Sequence, residues 1–194
     1  IVNCHFIGNA AYFAAGNGGA IFNLQSSPTI SNCTFTGNSA YWGGAICNLN
    51  GGTATVVNCD FVGNTADIGG AVNNEGAMVI LRDCRFTENT GDGGGVNNRD
   101  GSPLLINCVF AQNNAGLWQA GGLRNVGSSP SVQNGMFFEN YSKEGTGAGS
   151  FSFKGTLEYI NCTFYGNRAE SGSGGAIVNE SVGAAVLRNC ILWS

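Results

Sequence analysis

Charge and proline are scarce in this sequence of 194 residues. Only 10% of the residues are charged, with 8 Lys and Arg against 12 Asp and Glu, and there are 3 prolines. So few basic residues argue against binding to nucleic acid or to an anionic membrane, because both require a basic surface. No apolar run approaches the roughly 18 residues of a membrane-spanning helix, so we expect no membrane insertion by this segment.

Histidine occurs once, as His5, and no two cysteines are spaced as Cys-x-x-Cys. This excludes the usual zinc-site patterns, and His5 has no evident partner for a catalytic triad. Glycine is abundant, with 32 residues, but it lacks the every-third spacing of collagen, and its ordered placement is unlike that of a flexible linker. We therefore expect a folded protein without a metal or another cofactor.

A repeated motif fills the chain instead. Asn-Cys-x-Phe occurs five times, DCRF and NGMF are single-position variants, and each Phe is followed three residues later by Asn. A small-residue pair and an apolar residue come later in each unit, as in GGAI and GGAV. The repeated phenylalanines are 24 to 29 residues apart, and seven units fill the chain. We predict one repeat domain over residues 1–194, a fragment or processed segment of a longer solenoid.

The apolar residues alternate in short bursts, which is the spacing of strands and not of helices. Short strands separated by Gly and Asn, in a unit of about 26 residues, are typical of one turn of a parallel β-helix. The fold class predicted is therefore all-β, a single-stranded parallel β-helix of about seven turns, with about three strands per turn.

Stacked turns would place equivalent side chains above one another as ladders. Three inward columns are predicted, of phenylalanine, of cysteine and of aliphatic residues with one tyrosine. Buried reduced thiols are favoured over cross-turn disulfides, because stacked parallel strands give poor disulfide geometry. The columns are Phe6, Phe35, Phe61, Phe86, Phe110, Phe137 and Phe164; Cys4, Cys33, Cys59, Cys84, Cys108, Cys162 and Cys190; and Ile1, Ile30, Val56, Leu81, Leu105, Val132, Tyr159 and Leu187.

The corners between strands are assigned to asparagine. An odd count separates Ile30 from Cys33, so the chain must turn at Asn32 for both to point inward. Asparagine tolerates the left-handed conformation and can bond to the amide one turn away, which predicts ladders through Asn32, Asn58, Asn107 and Asn161. Two more asparagine columns and the Gly-Gly pairs mark the other corners.

The paired motifs Gly-Gly-Ala-[Ile/Val/Leu] and Phe-x-x-Asn resemble the repeats of polymorphic outer membrane proteins, the autotransported surface adhesins of chlamydiae. The Asn-Cys-x-Phe-x-Gly-Asn unit and the ending NCILW are similar to repeats of secreted, surface-anchored β-helix proteins of environmental bacteria. The resemblance covers the whole chain and implies a right-handed, pectate-lyase-like β-helix at the cell surface. The sixth unit departs from the pattern with AGSF and Gly135, so we expect a bulge or an interrupted ladder there.

Acidic residues offer only one candidate for catalysis. Glu88 and Glu139 share a column about two turns apart, a separation compatible with a glycosidase, but with no third acid beside them. We expect no enzymatic activity and keep these two glutamates as weak catalytic candidates. The other acids look structural: Asp60 with Arg85, and Glu75 with Arg99, are predicted to form cross-turn ion pairs.

The variable linkers carry aromatic residues that suit stacking on sugars or a protein interface. Two alternatives stay open for them, because the rings could gather along one edge for binding or fold back to cover the rod. The candidate partner- or glycan-binding residues are Tyr12, Phe13, Tyr41, Trp42, Trp118 and Tyr141.

Cys47 lies outside the cysteine column. We predict for it an outward position, shared with Phe22, Asn73, Asn97, Arg124, Ser152 and Val178. An exposed thiol there could link to a partner chain or could be a tolerated surface cysteine.

Three functions follow, in order of preference. The first is an extracellular structural or adhesive solenoid of a bacterial cell surface, as a stalk or self-associating filament subunit. Its partners would be further turns or other copies stacked end to end, because no cap is visible and low charge offers little repulsion. The alternatives are a carbohydrate-binding surface module and a polysaccharide lyase or hydrolase.

Overall fold

The chain winds into a parallel β-helix in the computed structural model, which describes residues 1–11, 16–181 and 183–193. Every strand pair among these residues is parallel, and none of them lies in a helix. Six of the seven turns have a fourth strand, so the prediction of about three strands per turn is too low by one for these turns, and in the remaining turn single bridges through Asn114 replace that strand. The additional strand lies in the linker, where the sequence varies most. The predicted all-β parallel solenoid of about seven turns is confirmed.

Two sheets carry the apolar ladders. We call them the phenylalanine sheet and the aliphatic sheet, after their inward residues. The phenylalanine sheet comprises His5–Ile7, Thr34–Thr36, Asp60–Val62, Arg85–Thr87, Val109–Ala111, Met136–Phe138, Thr163–Tyr165 and Ile191–Trp193. The aliphatic sheet comprises Thr29–Ser31, Thr53–Val57, Met78–Arg82, Leu104–Ile106, Ser131–Gln133, Leu157–Ile160 and Ala185–Arg188.

The other two faces are the asparagine sheet and the linker sheet. The asparagine sheet comprises Ile21–Leu24, Ile46–Leu49, Val72–Glu75, Val96–Arg99, Leu123–Val126, Ser150–Phe153 and Ile177–Glu180. The linker sheet comprises Ala10–Ala11, Ser39–Trp42, Thr65–Ile68 and Thr90–Asp92. Single bridges through Asn114 continue it to the pair Tyr141–Ser142 and Arg168–Ala169. Turns are numbered below by their ladder phenylalanine, from Phe6 in the first to Phe164 in the seventh.

The phenylalanine rings form an unbroken stack inside the solenoid. Neighbouring ring centroids are 4.6 to 4.9 Å apart, and the planes are within 10° of parallel. This spacing follows from the distance of about 4.8 Å between paired strands, because in-register strands repeat every side chain at that interval. From Phe35 to Phe164 the rings are completely buried. The stack therefore couples each turn to the next one.

The cysteine column lies beside this stack, and all eight cysteines are free thiols. Most thiols of the column donate to the carbonyl oxygen two residues earlier, as Cys33 does to Ser31 at 3.1 Å and Cys84 does to Arg82 at 3.2 Å. The residue between these partners is the corner residue. Asn32 has a φ of 53° and Asp83 one of 54°, so the left-handed corner is present where the odd count requires it. Side-chain amides link these corners, with Asn58 Nδ2 donating to Asn32 Oδ1 at 2.8 Å.

The Phe-x-x-Asn asparagines form a second ladder that is buried. Asn113 shows the pattern, since its Nδ2 donates to Asn140 Oδ1 and to the Phe86 carbonyl oxygen, both at 2.9 Å. Its Oδ1 accepts from the backbone N–H and from Nδ2 of Asn89, both at 3.0 Å. One amide thus satisfies four polar groups that the turn would otherwise bury without partners.

The Gly-Gly pair has two different roles. Gly43 has a φ of 65°, a left-handed conformation that glycine adopts without strain. At Gly44 a Cβ atom would lie 2.2 Å from the Gly70 carbonyl oxygen of the next turn, so any side chain would push the turns apart. The first glycine therefore turns the chain, and the second allows close stacking.

The sixth turn keeps its register, contrary to the expected bulge. Ser150 pairs with Leu123 on one side and Ile177 on the other, and the phenylalanine stack is continuous. Tyr159, larger than its aliphatic neighbours, donates a hydrogen bond from its hydroxyl to Ser150 Oγ at 2.5 Å. Small residues in AGSF thus accommodate a large one in the aliphatic column. The cysteine column is interrupted at Gly135, and the inner column of the asparagine sheet is interrupted at Ser152, which lies between Asn125 and Asn179.

Candidate functional site

The two candidate catalytic glutamates lie at an exposed corner. Glu88 and Glu139 have φ values of 58° and 54° and occupy the position that glycine takes in other turns, as at Gly37. Gln112 lies between them and donates to Glu139 Oε2 at 2.9 Å. The carboxylates are thus about two rungs, or roughly 10 Å, apart on an open surface. Neither lines the groove described below.

The predicted cross-turn ion pairs, Asp60 with Arg85 and Glu75 with Arg99, do not form. Arg85 lies in register with Asp60, and Arg99 with Glu75, as expected. Of the ion pairs among the described residues, however, the one that involves Arg99 joins it to Asp100, at 3.6 Å, and none involves Arg85. Register brings the backbones together, but long exposed side chains are free to point elsewhere.

The aromatic linker residues do not form one cluster. Tyr12 and Phe13 lie outside the described residues. Tyr41 and Trp118 point outward, with 44% and 62% of their surfaces exposed, but they are three turns, about 14 Å, apart along the axis. Tyr141 donates from its phenol to Glu170. Trp42 instead folds back onto the rod, as the second alternative predicts, and binding by the exposed rings stays a prediction.

Cys47 is completely buried, so the prediction of an exposed thiol is wrong. Its side chain does leave the outer face of the asparagine sheet, but linker residues cover that face. Burial raises the pKa of the Cys47 thiol to about 11, which keeps it protonated and poorly nucleophilic. The column also needs one correction: Phe151, not Ser152, lies in register with Arg124 and Val178.

This outer column forms the floor of a groove beside the linker sheet. Arg124 Nη1 donates to Asn97 Oδ1 at 2.8 Å, and Asn97 Nδ2 donates to Asn73 Oδ1 at 2.7 Å. Asn73 Nδ2 continues the chain to Cys47 Sγ at 3.7 Å. These four residues occupy successive turns, so the hydrogen bonds run along the axis of the solenoid. In all three hydrogen bonds the donor lies on the Arg124 side and the acceptor on the Cys47 side.

An ion pair anchors the chain of hydrogen bonds. Arg124 Nε lies 3.1 Å from Asp92 Oδ2, and the Gln119 backbone N–H donates to Asp92 Oδ1 at 3.1 Å. Burial raises the pKa of Asp92, although Arg124 and the Gln119 amide favour the ionised carboxylate. The groove floor is therefore polar but almost neutral, because its one buried cation faces one buried anion.

Trp42 and Ile68 form the wall of the groove. They occupy the same register position as Asp92 in the linker sheet, and from there they overhang the asparagine sheet. The cavity between wall and floor has a volume of about 160 Å³. Trp42 Nε1 is a buried N–H group with no hydrogen-bond acceptor among the described residues. The cavity is lined by Trp42, Ile68, Asn73, Glu75, Asn97, Arg99, Arg124 and Val126.

A second cavity of about 330 Å³ extends the groove toward the last turns. Arg124 and Val126 line both cavities, so the two lie next to each other. Phe151 and Phe153 add two aromatic rings to this part, and Gln119 and Glu180 complete it. The whole groove follows the long axis of the rod, and we call it the axial groove.

Sequence reasoning found only Trp42 among the groove residues as a binding candidate. Asn73, Asn97 and Arg124 appeared in the predicted Cys47 column, where their polarity on a strand was the available signal. The sequence gives no such signal for Asp92, Ile68 and Phe151. Their position at the groove depends on how the linker overhangs the neighbouring sheet.

Metal ligands are not assembled in the described parts of the chain, where no three His, Cys, Asp or Glu side chains group suitably. The same residues include no helix long and apolar enough to cross a membrane.

The comparisons agree with the geometry. A family model described as a right-handed β-helix region matches residues 19–192. No curated protein matches the chain at a significant level.

Proposed function

Because the chain belongs to the right-handed β-helix family, we propose that it serves as a structural or adhesive solenoid on the outside of a bacterial cell. The observation that carries this proposal is the continuity of the internal ladders. Stacked rings and buried amides connect each turn to the next from the first turn to the seventh. Such a solenoid holds its outer surface at fixed spacing, as a stalk or an adhesive rod requires.

The resemblance to polymorphic outer membrane proteins supports the location. Repeats of that type belong to surface adhesins, and the low charge of this chain suits contact with other copies or with a neighbouring cell. Under this proposal the partners are further solenoid turns, other copies of the protein or cell-surface glycans, and the role needs no catalysis.

Immunogold electron microscopy of intact producing cells tests the location and the assembly together. We expect label on the cell exterior, along filaments if copies associate end to end and at separate points if the protein is a stalk. Labelling that appears only after the cells are permeabilised would contradict the proposal. A cytosolic protein of known location, labelled in the same cells, controls for leakage.

A second candidate function is carbohydrate binding in the axial groove. Along the axis, the groove leads from a tryptophan wall over a polar and nearly neutral floor to two phenylalanine rings that lie on one strand of the sixth turn. Aromatic faces stack on sugar rings, and amide groups can exchange hydrogen bonds with hydroxyls. An extended, largely uncharged sugar chain would match this arrangement.

Paired tryptophan variants test this second function. Trp42→Ala removes the aromatic part of the groove wall and is expected to weaken binding by about tenfold, equivalent to about 1.4 kcal/mol. Trp118→Ala makes the same chemical change at an exposed site that does not line the groove, and we expect it to bind like the wild type. Titration of a hit from a glycan array gives the affinities. Absence of any hit, or equal losses in both variants, would reject the groove as a sugar site.

A further inference from the structure

The outer face of the phenylalanine sheet lies apart from the axial groove, which runs along the asparagine sheet. Two columns of side chains project from it, because residues on either side of each ladder phenylalanine point outward. The first column is His5, Thr34, Asp60, Arg85, Val109, Met136, Thr163 and Ile191, and the second is Ile7, Thr36, Val62, Thr87, Ala111, Phe138, Tyr165 and Trp193.

This face changes character at the fifth turn. Before it, the first column carries polar and charged groups. From Val109 onward neither column contains a charged residue, and bulky apolar and aromatic side chains dominate. A cavity of about 400 Å³ lies between the columns, lined by Met136, Phe138, Thr163, Tyr165 and Trp193. We call this apolar part the outer channel.

The side chains of the outer channel remain exposed. Tyr165 and Trp193 expose 45% and 71% of their surfaces, and Met136 exposes 46%. The Tyr165 and Trp193 rings are 5.7 Å apart at their centroids. Apolar side chains exposed side by side in this way indicate a site for a ligand or a partner.

The dimensions decide between these occupants. The channel spans four rungs, about 14 Å, and the two columns are about 7 Å apart, which gives a footprint on the order of 100 Å². A stable protein interface needs about 800 Å² from each partner, so a second copy would find too little surface here. A slender, flat molecule that lies along the axis matches the footprint.

Charge identifies one end of that molecule. Arg85 precedes Val109 in the first column and lies at the polar end of the channel. Its Nε donates to Thr87 Oγ1 at 3.4 Å, and no carboxylate of the described residues lies within 4.0 Å of its guanidinium. The guanidinium therefore has capacity for an anion, next to an apolar surface that favours aromatic rings.

We propose that the outer channel binds a planar aromatic molecule with an anionic group at one end. The rings lie between the columns over Met136 and Tyr165, parallel to the axis of the solenoid. The anionic group lies at Arg85. This site is on a different sheet from the axial groove and does not depend on the proposed function.

A fluorescence titration with anilinonaphthalene sulfonate, a planar aromatic anion, tests the site. The double variant Met136→Thr with Tyr165→Thr removes the two side chains on which the rings are proposed to lie. Threonine already occupies these columns at Thr34 and Thr36, so the fold should tolerate the change. We expect the affinity to fall at least about tenfold. Phe22→Thr, which removes an exposed aromatic ring from another sheet, serves as the control and should leave the affinity unchanged.

A second arm tests the charge. Arg85→Thr should weaken the anionic probe about fivefold and leave the cationic aromatic dye thioflavin T unaffected or bound more tightly. Melting curves of each variant confirm that the solenoid is intact. The proposal is overturned if the double variant binds the anion like the wild type, or if Arg85→Thr weakens both dyes equally.

Discussion

Replacement of Phe110 by alanine should lower the free energy of unfolding by about 3–5 kcal/mol. The ring is completely buried between Phe86 and Phe137, with centroid distances of 4.9 and 4.7 Å. Its removal opens a void in the middle of the stack. Gly95, which packs against the ring, has no side chain that could move in. Because each turn contacts only its neighbours, the loss should weaken the coupling between the two halves of the rod.

Phe22→Ala is the matched control for this prediction. Phe22 lies on the outer face of the asparagine sheet, and 45% of its surface is exposed. The same truncation there should cost less than about 1 kcal/mol. Urea denaturation followed by circular dichroism gives both values. Equal destabilisation by the two variants would show that the internal stack has no special importance for stability.

Replacement of Asn113 by aspartate should destabilise the protein by about 3–5 kcal/mol at pH 7. The change is nearly isosteric, but it exchanges an amide donor for a carboxylate oxygen. That oxygen would face the Phe86 carbonyl oxygen and Asn140 Oδ1, which now accept from Asn113 Nδ2. The site is fully buried, so the new charge would lie among acceptors and away from water.

The loss in the Asn113→Asp variant should depend on pH in a defined direction. Burial and the facing acceptor oxygens would raise the pKa of the new carboxyl in the folded state above its unfolded value of about 3.9. At a pH between these two pKa values, the carboxyl is still protonated in the folded state but already ionised in the unfolded state. The destabilisation should therefore be complete above the folded pKa and should shrink as the pH falls through it.

Asn32→Asp makes the same exchange at an exposed corner and serves as the control. The Asn32 oxygen accepts from Asn58 Nδ2, a role that a carboxylate keeps, and Asp83 already occupies an equivalent corner. Its cost should stay within about 0.5 kcal/mol at every pH. Denaturation midpoints measured from pH 7 down to pH 4 compare the two. A constant deficit for Asn113→Asp over this range would contradict the mechanism.

The ladders were predictable because a parallel solenoid pairs its strands in register, so residues at the same position of successive repeats stack on one another. Once Phe35 and Phe61 occupy equivalent places in successive units, stacking them needs only a constant strand spacing. The corner at Asn32 followed from parity, since two inward residues an odd number of positions apart require a turn between them. These inferences use the chain alone and involve no contact between different faces.

The axial groove could not be predicted in the same way. Linker lengths vary from turn to turn, so their strands and side-chain directions do not follow from the repeat. The burial of Cys47 depends on the linkers, where Asn17 Oδ1 lies 3.9 Å from its thiol. The contact between Asp92 and Arg124 joins two faces of the rod. In the sixth unit AGSF replaces the usual motif, and only the strand register shows that Phe151, and not Ser152, continues the outer column.

The sequence by itself determined the parallel solenoid, its number of turns and its internal columns. The reason is that each unit repeats the same short strands, the same left-handed corner residue and the same glycine where neighbouring turns approach closely. The tertiary structure alone decided which outward residues meet. It added the fourth sheet, buried Cys47, placed Glu88 and Glu139 on an open corner, and assembled the axial groove and the outer channel. The physical reason is that ladder contacts repeat with the chain, whereas surface sites depend on linker paths and on the directions of single side chains.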